Sequence, residues 1–398
     1  MIATLPYNPR VLAAPGDPAL ADAIGRLVGN GPPVGDWFVK LEGLAEAQAV
    51  ALNRQAIRHG GGVLIRSDKG AADVILRLPG EGLDAYLADL GDEEAALRAA
   101  HAACSAARAW LRTRFGLECR GGPIRLGGRT LVMGVVNVTP DSFSDGGQFL
   151  DATAAIAHGR QLVAEGADIL DVGGESTRPG AEAVDAENEC QRVLPVIDAL
   201  AGEGGVPISI DTSKAEVARR ALDAGAAILN DVTALGGDPA MAAVAAESGA
   251  PLILMHMQGT PRTMQAEPHY DDLMGEIVAY LRASMARAVA GGVREEQIIV
   301  DPGIGFGKTL DHNLEILRRL GELRSLGRPI LLGTSRKSAI GAVLRVPVGE
   351  RAFGTAATVA LGIDRGAHIV RVHDVGAMCQ VARMTDAMLG RGEDAQGG

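Results

Sequence analysis

The chain has 398 residues, 47% of them apolar and only 3% aromatic, so it can bury a sizeable core and must build it from Ala, Val, Leu and Ile. Its 38 Lys and Arg against 49 Asp and Glu leave a net charge of −11, which repels nucleic-acid backbones and anionic lipid; no nucleic acid and no membrane are expected as partners. No apolar run approaches the ~20 residues of a spanning helix, and Met1-Ile-Ala-Thr-Leu-Pro6 lacks the basic-then-apolar pattern of a signal peptide, so the expected address is cytoplasmic.

Residues 1–120 read as a small α/β domain. It shows a helical stretch from Leu44 to His59, short strands at Val63–Ile65 and Val74–Leu78, and an Ala-rich helix from Glu93 to Arg114. The Gly- and Pro-rich Arg120-Gly-Gly-Pro123 marks a boundary. From Thr130 onward β-branched runs alternate with Gly/Asp/Ser/Thr-rich breaks and Ala-rich amphipathic stretches. The runs are Leu131–Val138, Asp168–Val172, Ile208–Asp211, Ile228–Asp231, Leu252–His256, Ile298–Asp301, Ile330–Gly333 and Ile369–Val372. Parallel strands need long crossovers, and eight such units in about 260 residues predict a (β/α)8 barrel over 121–390, with an open doubly wound sheet as the alternative. The barrel is expected to fold without the front domain, and 391–398 to be a flexible tail. Cys104, Cys119, Cys190 and Cys379 form no C-x-x-C pair, so neither a zinc site nor a disulfide framework is expected.

Polar residues follow every strand: Asn137, Asp171, Asp211, Asn230 with Asp231, His256, Asp301, Ser335 with Lys337, and Arg371 with His373. Barrel enzymes place their chemistry at this end. Any single Asp, Asn or Ser can instead cap the helix that follows, but capping has no use for Lys337, Arg371 or His373. The connection from Asn137 to Gly147 is long enough to form a flap, and in Asp171–Gly180 the pair Thr177 and Arg178 can reach an anion or a carboxylate. Asp301-Pro-Gly-Ile-Gly-Phe-Gly-Lys308 tempts a nucleotide reading, yet a phosphate-cradling P-loop would require Gly where Pro302 stands. The better reading is a carboxylate at the barrel mouth with Phe306 on the flexible loop above it. Arg371 and His373 lie two apart, on one face of the last strand, beside Ser335-Arg-Lys337. That concentration of positive groups in an acidic chain points to a small phosphorylated or pyrophosphorylated substrate.

Met133-Gly-Val-Val-Asn-Val-Thr-Pro-Asp-Ser-Phe-Ser-Asp-Gly-Gly147, Asp171 to Gly180, Ile210-Asp-Thr-Ser-Lys214, Asn230-Asp231, Met255-His-Met-Gln-Gly-Thr-Pro261, Asp301 to Lys308, Ser335-Arg-Lys337 and Arg371-Val-His373 together resemble the dihydropteroate synthases, pterin-binding barrels. The resemblance covers residues 123–390 and implies a transferase of folate biosynthesis. Such an enzyme joins 4-aminobenzoate to (7,8-dihydropterin-6-yl)methyl diphosphate and releases pyrophosphate. It implies Asp211, Asn230 and Asp301 as ligands of the pterin ring, Lys337 at the ring carbonyl and Met255 in the wall. By the same likeness Asn137 with Mg²⁺, Arg371 and His373 hold the pyrophosphate, and Asp145 belongs to the flap. Phe306, Thr177, Arg178, Pro179 and Ser335 line the 4-aminobenzoate pocket, where sulfonamides compete, and a homodimer through barrel helices is implied. Two other readings stay open: a methyltetrahydrofolate:corrinoid methyltransferase, which has no pyrophosphate to hold, and a catalytically silent pterin-binding module.

Overall fold

The computed structural model describes residues 7–13, 36–68, 71–79, 86, 98–99, 102–103, 105, 114–138, 147–176, 183–261 and 263–392. The chain divides into two compact units. One comprises Met1–Thr113 with Asp272–Ala283 and Arg318–Gly327; the other comprises Arg114–Asp271, Ser284–Leu317 and Arg328–Gly398.

The first unit holds β1 (Arg10–Ala13), β2 (Trp37–Leu44), helix α1 (Glu46–Arg58), β3 (Gly62–Asp68) and β4 (Ala71–Leu78). The strands form an antiparallel sheet in the order β1-β2-β4-β3. Register places Trp37, Val39 and Leu41 opposite Leu78, Leu76 and Val74, so period-2 alternation puts all six on one buried face. Ala49, Leu52 and Ala56 of α1 belong to the same core. The opposite face carries Arg10, Lys40, Glu42 and Asp73. Arg10 is fully buried, with Nη2 2.6 Å from Glu42 and 2.7 Å from Asp272, while Lys40 Nζ lies 2.6 Å from Asp272. Glu322, also buried, lies 3.7 Å from Arg10. The Val11 N–H donates to Ser325 Oγ and Arg282 donates to Asn8 Oδ1 and Pro9 O, so two segments distant in sequence complete this unit. Strands β1 and β2 go beyond the expected elements, and of the expected helix 93–114 residues 98–99, 102–103 and 105 are described as helix and Arg114 as lying outside it.

The second unit opens with a short hairpin, β5 (Phe115–Leu117) with β6 (Ile124–Leu126). Eight parallel strands follow: β7 (Leu131–Asn137), β8 (Ile169–Gly173), β9 (Ile208–Asp211), β10 (Ile228–Asp231), β11 (Leu252–Met255), β12 (Ile298–Asp301), β13 (Leu331–Leu332) and β14 (Ile369–Val372). They neighbour one another in the order β12-β11-β10-β9-β8-β7-β14-β13, and a parallel bridge between Val300 and Ile330 closes the ring. This is the expected (β/α)8 barrel and not the open sheet. Helices cover the outside, so β10, β11 and β12 are buried throughout and start as runs of Ile, Leu and Val before ending in Asn230-Asp231, Met255 and Asp301. Among the helices, α2 (Gly147–Ala164), α3 (Ala186–Gly202), α4 (Ala215–Asp223) and α5 (Met241–Ser248) precede α6 (Leu273–Ala290) and α7 (Leu310–Arg319). The last three are α8 (Ser338–Leu344), α9 (Ala352–Asp364) and α10 (Val375–Met388). Within the expected tail, the Arg391 and Gly392 N–H groups donate to Asp386 O and Gly128 O, and 393–398 lie outside the described residues. Cys119, Cys190 and Cys379 are free thiols, the latter two buried; Cys104 is outside the described residues.

Candidate active site

The polar residues that end the barrel strands meet one another across the mouth. Arg371, on β14, donates from Nε to Asp171 on β8 at 2.6 Å and from Nη2 to Asp211 on β9 at 2.8 Å. Asn230, on β10, donates from Nδ2 to the same Asp171 at 3.2 Å. Four strands thus contribute to one polar knot, in which Asp171 and Asn230 are buried and Arg371 and Asp211 partly so. Burial opposes charge on Arg371, but the two carboxylates outweigh it and hold its pKa above the ordinary value. Burial raises the Asp211 carboxyl, with Arg371 pulling the other way. Asp231, next to Asn230, turns outward and makes the following turn, accepting from Thr233 N, Thr233 Oγ1 and Leu235 N.

Asp301 ends β12 nearly buried and accepts the Gly303 N–H at 2.7 Å. Burial pushes its carboxyl up to about 6, against the pull of that N–H and of Lys337. The connection beyond it carries Phe306, buried with Val232, Met255, Met257 and Met264. Lys337 sets its ammonium 4.2 Å from the centre of the Phe306 ring, a cation–π contact. Ser335 lies beside His373, its Oγ accepting the His373 N–H at 3.1 Å and sitting 3.0 Å from Nδ1. Burial first, then Arg371, lowers His373 to about 4, so at neutral pH the imidazole offers hydrogen bonds and no charge. Asn137 closes β7 half-buried. Asp145, Thr177, Arg178 and Pro179 lie outside the described residues.

Four groups around this mouth were not singled out from the sequence. Arg336 stands between Ser335 and Lys337 in the left-handed region, φ 57°, and its guanidinium pairs with Asp374, so the connections after β13 and β14 are tied together. Lys214 bridges Glu175 at 2.6 Å and buried Glu189 at 2.5 Å, bracing the start of the connection after β8. Lys308 is buried, with Nζ 2.9 Å from His256 Nδ1 and 2.8 Å from Phe306 O. Burial lowers this lysine to about 7 and takes His256 well below its ordinary value. Tyr270 donates to Gly307 O at 2.7 Å. The local signal for the three cations was charge inside otherwise apolar or Gly-rich connections, and Tyr270 gave none.

The Mg²⁺ that the resemblance implies suits Asn137, whose amide oxygen is a hard donor. Among the described residues no cluster of three His, Cys, Asp or Glu is placed to hold a metal. That donor set fits an ion that brings phosphate and water oxygens as its remaining ligands.

A model of the family of pterin-binding enzymes matches residues 133–373. The dihydropteroate synthase of Bacillus subtilis is 51% identical over 264 residues, which span 66% of this chain and 90% of that one. A solved structure of Xanthomonas albilineans dihydropteroate synthase with 4-aminobenzoic acid superposes with a TM-score of 0.66 at 44% identity, covering 70% of this chain and 99% of that one. The Yersinia pestis enzyme in complex with a sulfonamide drug gives 0.66 at 42% identity, covering 69% and 100%.

Proposed function

The chain belongs to the pterin-binding enzyme family, in its dihydropteroate synthase branch, and from that premise we propose how its residues divide the work. The reaction condenses (7,8-dihydropterin-6-yl)methyl diphosphate with 4-aminobenzoate to give 7,8-dihydropteroate and pyrophosphate. The observation that carries the assignment of roles is the knot in which half-buried Arg371 and Asp211 meet buried Asp171 and Asn230, beside Asp301.

A pterin presents a fixed row of donors and acceptors. Asp211, Asn230 and Asp301 match its donors, Lys337 reaches its ring carbonyl, and Met255 walls the pocket. Because Asp171 and Asp211 already hold Arg371 in place, the guanidinium is oriented before substrate arrives and need not reorganise as charge develops on the leaving group. The bonds described use Nε and Nη2, and Nη1 is the end proposed to face the diphosphate. His373, neutral and fixed through Ser335, adds a hydrogen bond there. Asn137 would hold Mg²⁺, which would supply positive charge to the diphosphate. Departure of pyrophosphate leaves positive character on the pterin methylene, which the apolar wall of Met255, Met257, Met264 and Phe306 shields from water. The attacking group is an aniline, unprotonated at neutral pH, so positioning replaces a general base. Phe306, Thr177, Arg178, Pro179 and Ser335 are assigned to the 4-aminobenzoate side, and Asp145 to the flap.

A second copy of the chain is the proposed partner. Val343, Leu344, Val348, Phe353, Met384 and Met388, on and between α8, α9 and α10, are all exposed, Phe353 at 89%; a cluster of this kind suits a homodimer interface. No helix among the described residues is long and apolar enough to cross a membrane, and a cytoplasmic address is proposed. A coupled assay of pyrophosphate release with both substrates tests the whole assignment. Release that requires 4-aminobenzoate is expected; a silent protein, or one that moves methyl groups to a corrinoid, would overturn it.

A further inference from the structure

Phe306 lies on a connection whose carbonyls are held one after another by side chains. Gln265 Nε2 donates to Gly305 O at 2.7 Å, Lys308 Nζ to Phe306 O at 2.8 Å, and Tyr270 Oη to Gly307 O at 2.7 Å. Asn313 Nδ2 donates to Thr309 O at 2.7 Å, while Asn313 Oδ1 accepts the Gly305 N–H. Two of these donors, Gln265 and Tyr270, come from the segment 256–270 that follows β11, and Lys308 itself leans on His256 of that segment. Backbone contact is tighter still. Gly303 and Gly307 have φ of 68° and 63°, and a Cβ would come within 2.0 Å of His256 O at the first and 2.5 Å of Gln258 O at the second. Met264, from the same segment, is buried in the cluster that contains Phe306.

We propose that segment 256–270, with Tyr270 and Gln265 as positioning residues, fixes the Phe306 ring and thereby sets how tightly the site holds the amine substrate, 4-aminobenzoate. The inference rests on the reading of Phe306 as a wall of that subsite. A planar ring gains from a second planar wall only at contact distance, so a wall held by three side-chain donors keeps its contacts where a mobile loop loses them. None of the three donors touches a reacting atom, so their work appears in affinity and not in the chemical step. Tyr270 is also packed edge-on against His312, ring centres 5.0 Å apart, so removing only its hydroxyl leaves the ring in place.

Steady-state kinetics of the full chain decides the matter. Tyr270→Phe is expected to raise KM for 4-aminobenzoate about fivefold, the worth of one such hydrogen bond, leaving kcat and the KM for the pterin diphosphate within about twofold. Gln265→Ala, at an exposed position, acts in the same sense, and a sulfonamide's inhibition constant rises by the same factor. Placed in a Phe306→Ala background, Tyr270→Phe should have no further effect, because the ring it positions is gone. Melting curves accompany each variant. Unchanged KM in both folded single variants overturns the proposal, as does an equal rise for both substrates or a full effect in the Phe306→Ala background. If Phe306→Ala alone leaves KM for 4-aminobenzoate unchanged, the subsite reading fails and the proposal falls with it. If Phe306→Ala raises that KM while Tyr270→Phe does not, only the role of the segment is refuted.

Discussion

Asp301 gives the site its pH signature. Its carboxyl titrates near 6 in the free protein because burial disfavours the charged form. Donors on a bound pterin favour the carboxylate, so binding lowers that pKa, and affinity is full above about 6 and falls as pH drops through it. Calorimetric titration of a pterin without a diphosphate, between pH 5 and 8, should show this fall; Asp301→Asn should weaken binding and flatten the profile. A wild-type profile flat across pH 6 would exclude Asp301 as a ring ligand. Chelation with EDTA, in contrast, should abolish turnover while leaving that pterin's affinity intact, since the ion is assigned to the diphosphate; turnover unaffected by EDTA would exclude the metal. The candidate residues themselves were readable as polar types at strand ends. Their partnerships were not, because Arg371 meets carboxylates 200 and 160 positions away, and the neutrality of His373 depends on burial that no local pattern encodes.

Elements show the same division. All eight barrel strands were legible because strands covered on both faces become short apolar runs, although β13 shrinks to Leu331–Leu332 within its expected run. The three-residue β5 and β6 are too short to display a period, and β2, Trp37–Leu44, opens on three apolar residues and alternates only over Val39–Glu42 before its register with β4 shifts between Leu41 and Leu44. The connection carrying Phe306 was expected to be flexible; its carbonyls are instead held by Gln265, Lys308 and Tyr270. A preformed wall of this kind, without additional residues beside Phe306, should accept a sulfonamide as a competitor of 4-aminobenzoate. Inhibition that does not relieve with rising 4-aminobenzoate would contradict it. On the outer helices, Phe353→Asp should convert the proposed homodimer to a monomer in sedimentation analysis with little change in melting temperature, since that side chain is exposed within one chain. A wild-type monomer would remove the interface.

At the scale of the whole molecule, Arg10 decides how far the front residues can be dispensed with. Its fully buried guanidinium answers Glu42, Asp272 and Glu322, and burial of Asp272 is offset by Arg10 and Lys40, which hold that carboxyl below its ordinary range. Arg10→Met should cost about 3–5 kcal/mol, the penalty of leaving buried charges without their partner, and a chain starting at Arg114 should melt well below the full one. A truncated chain that melts with the full one would show the front residues to be dispensable. The sequence suggested a boundary near 120 and independence of 121–390, but an ionic cluster joining Arg10 to residue 272 has no local signature. The barrel's closure carries a different consequence. Between β12 and β13 it is a single bridge, Val300 to Ile330, with the Val300 N–H on Pro329 O, whereas every other adjacent pair shares a longer ladder. This is the thinnest seam of the ring, and its two lips lead directly into Phe306 and Lys337, which touch across it. Breathing of the barrel should therefore concentrate there, and a ring-shaped ligand gripped by both lips acts as a latch: amide exchange at Val300 and Leu331 slows on binding more than at any strand on the far side.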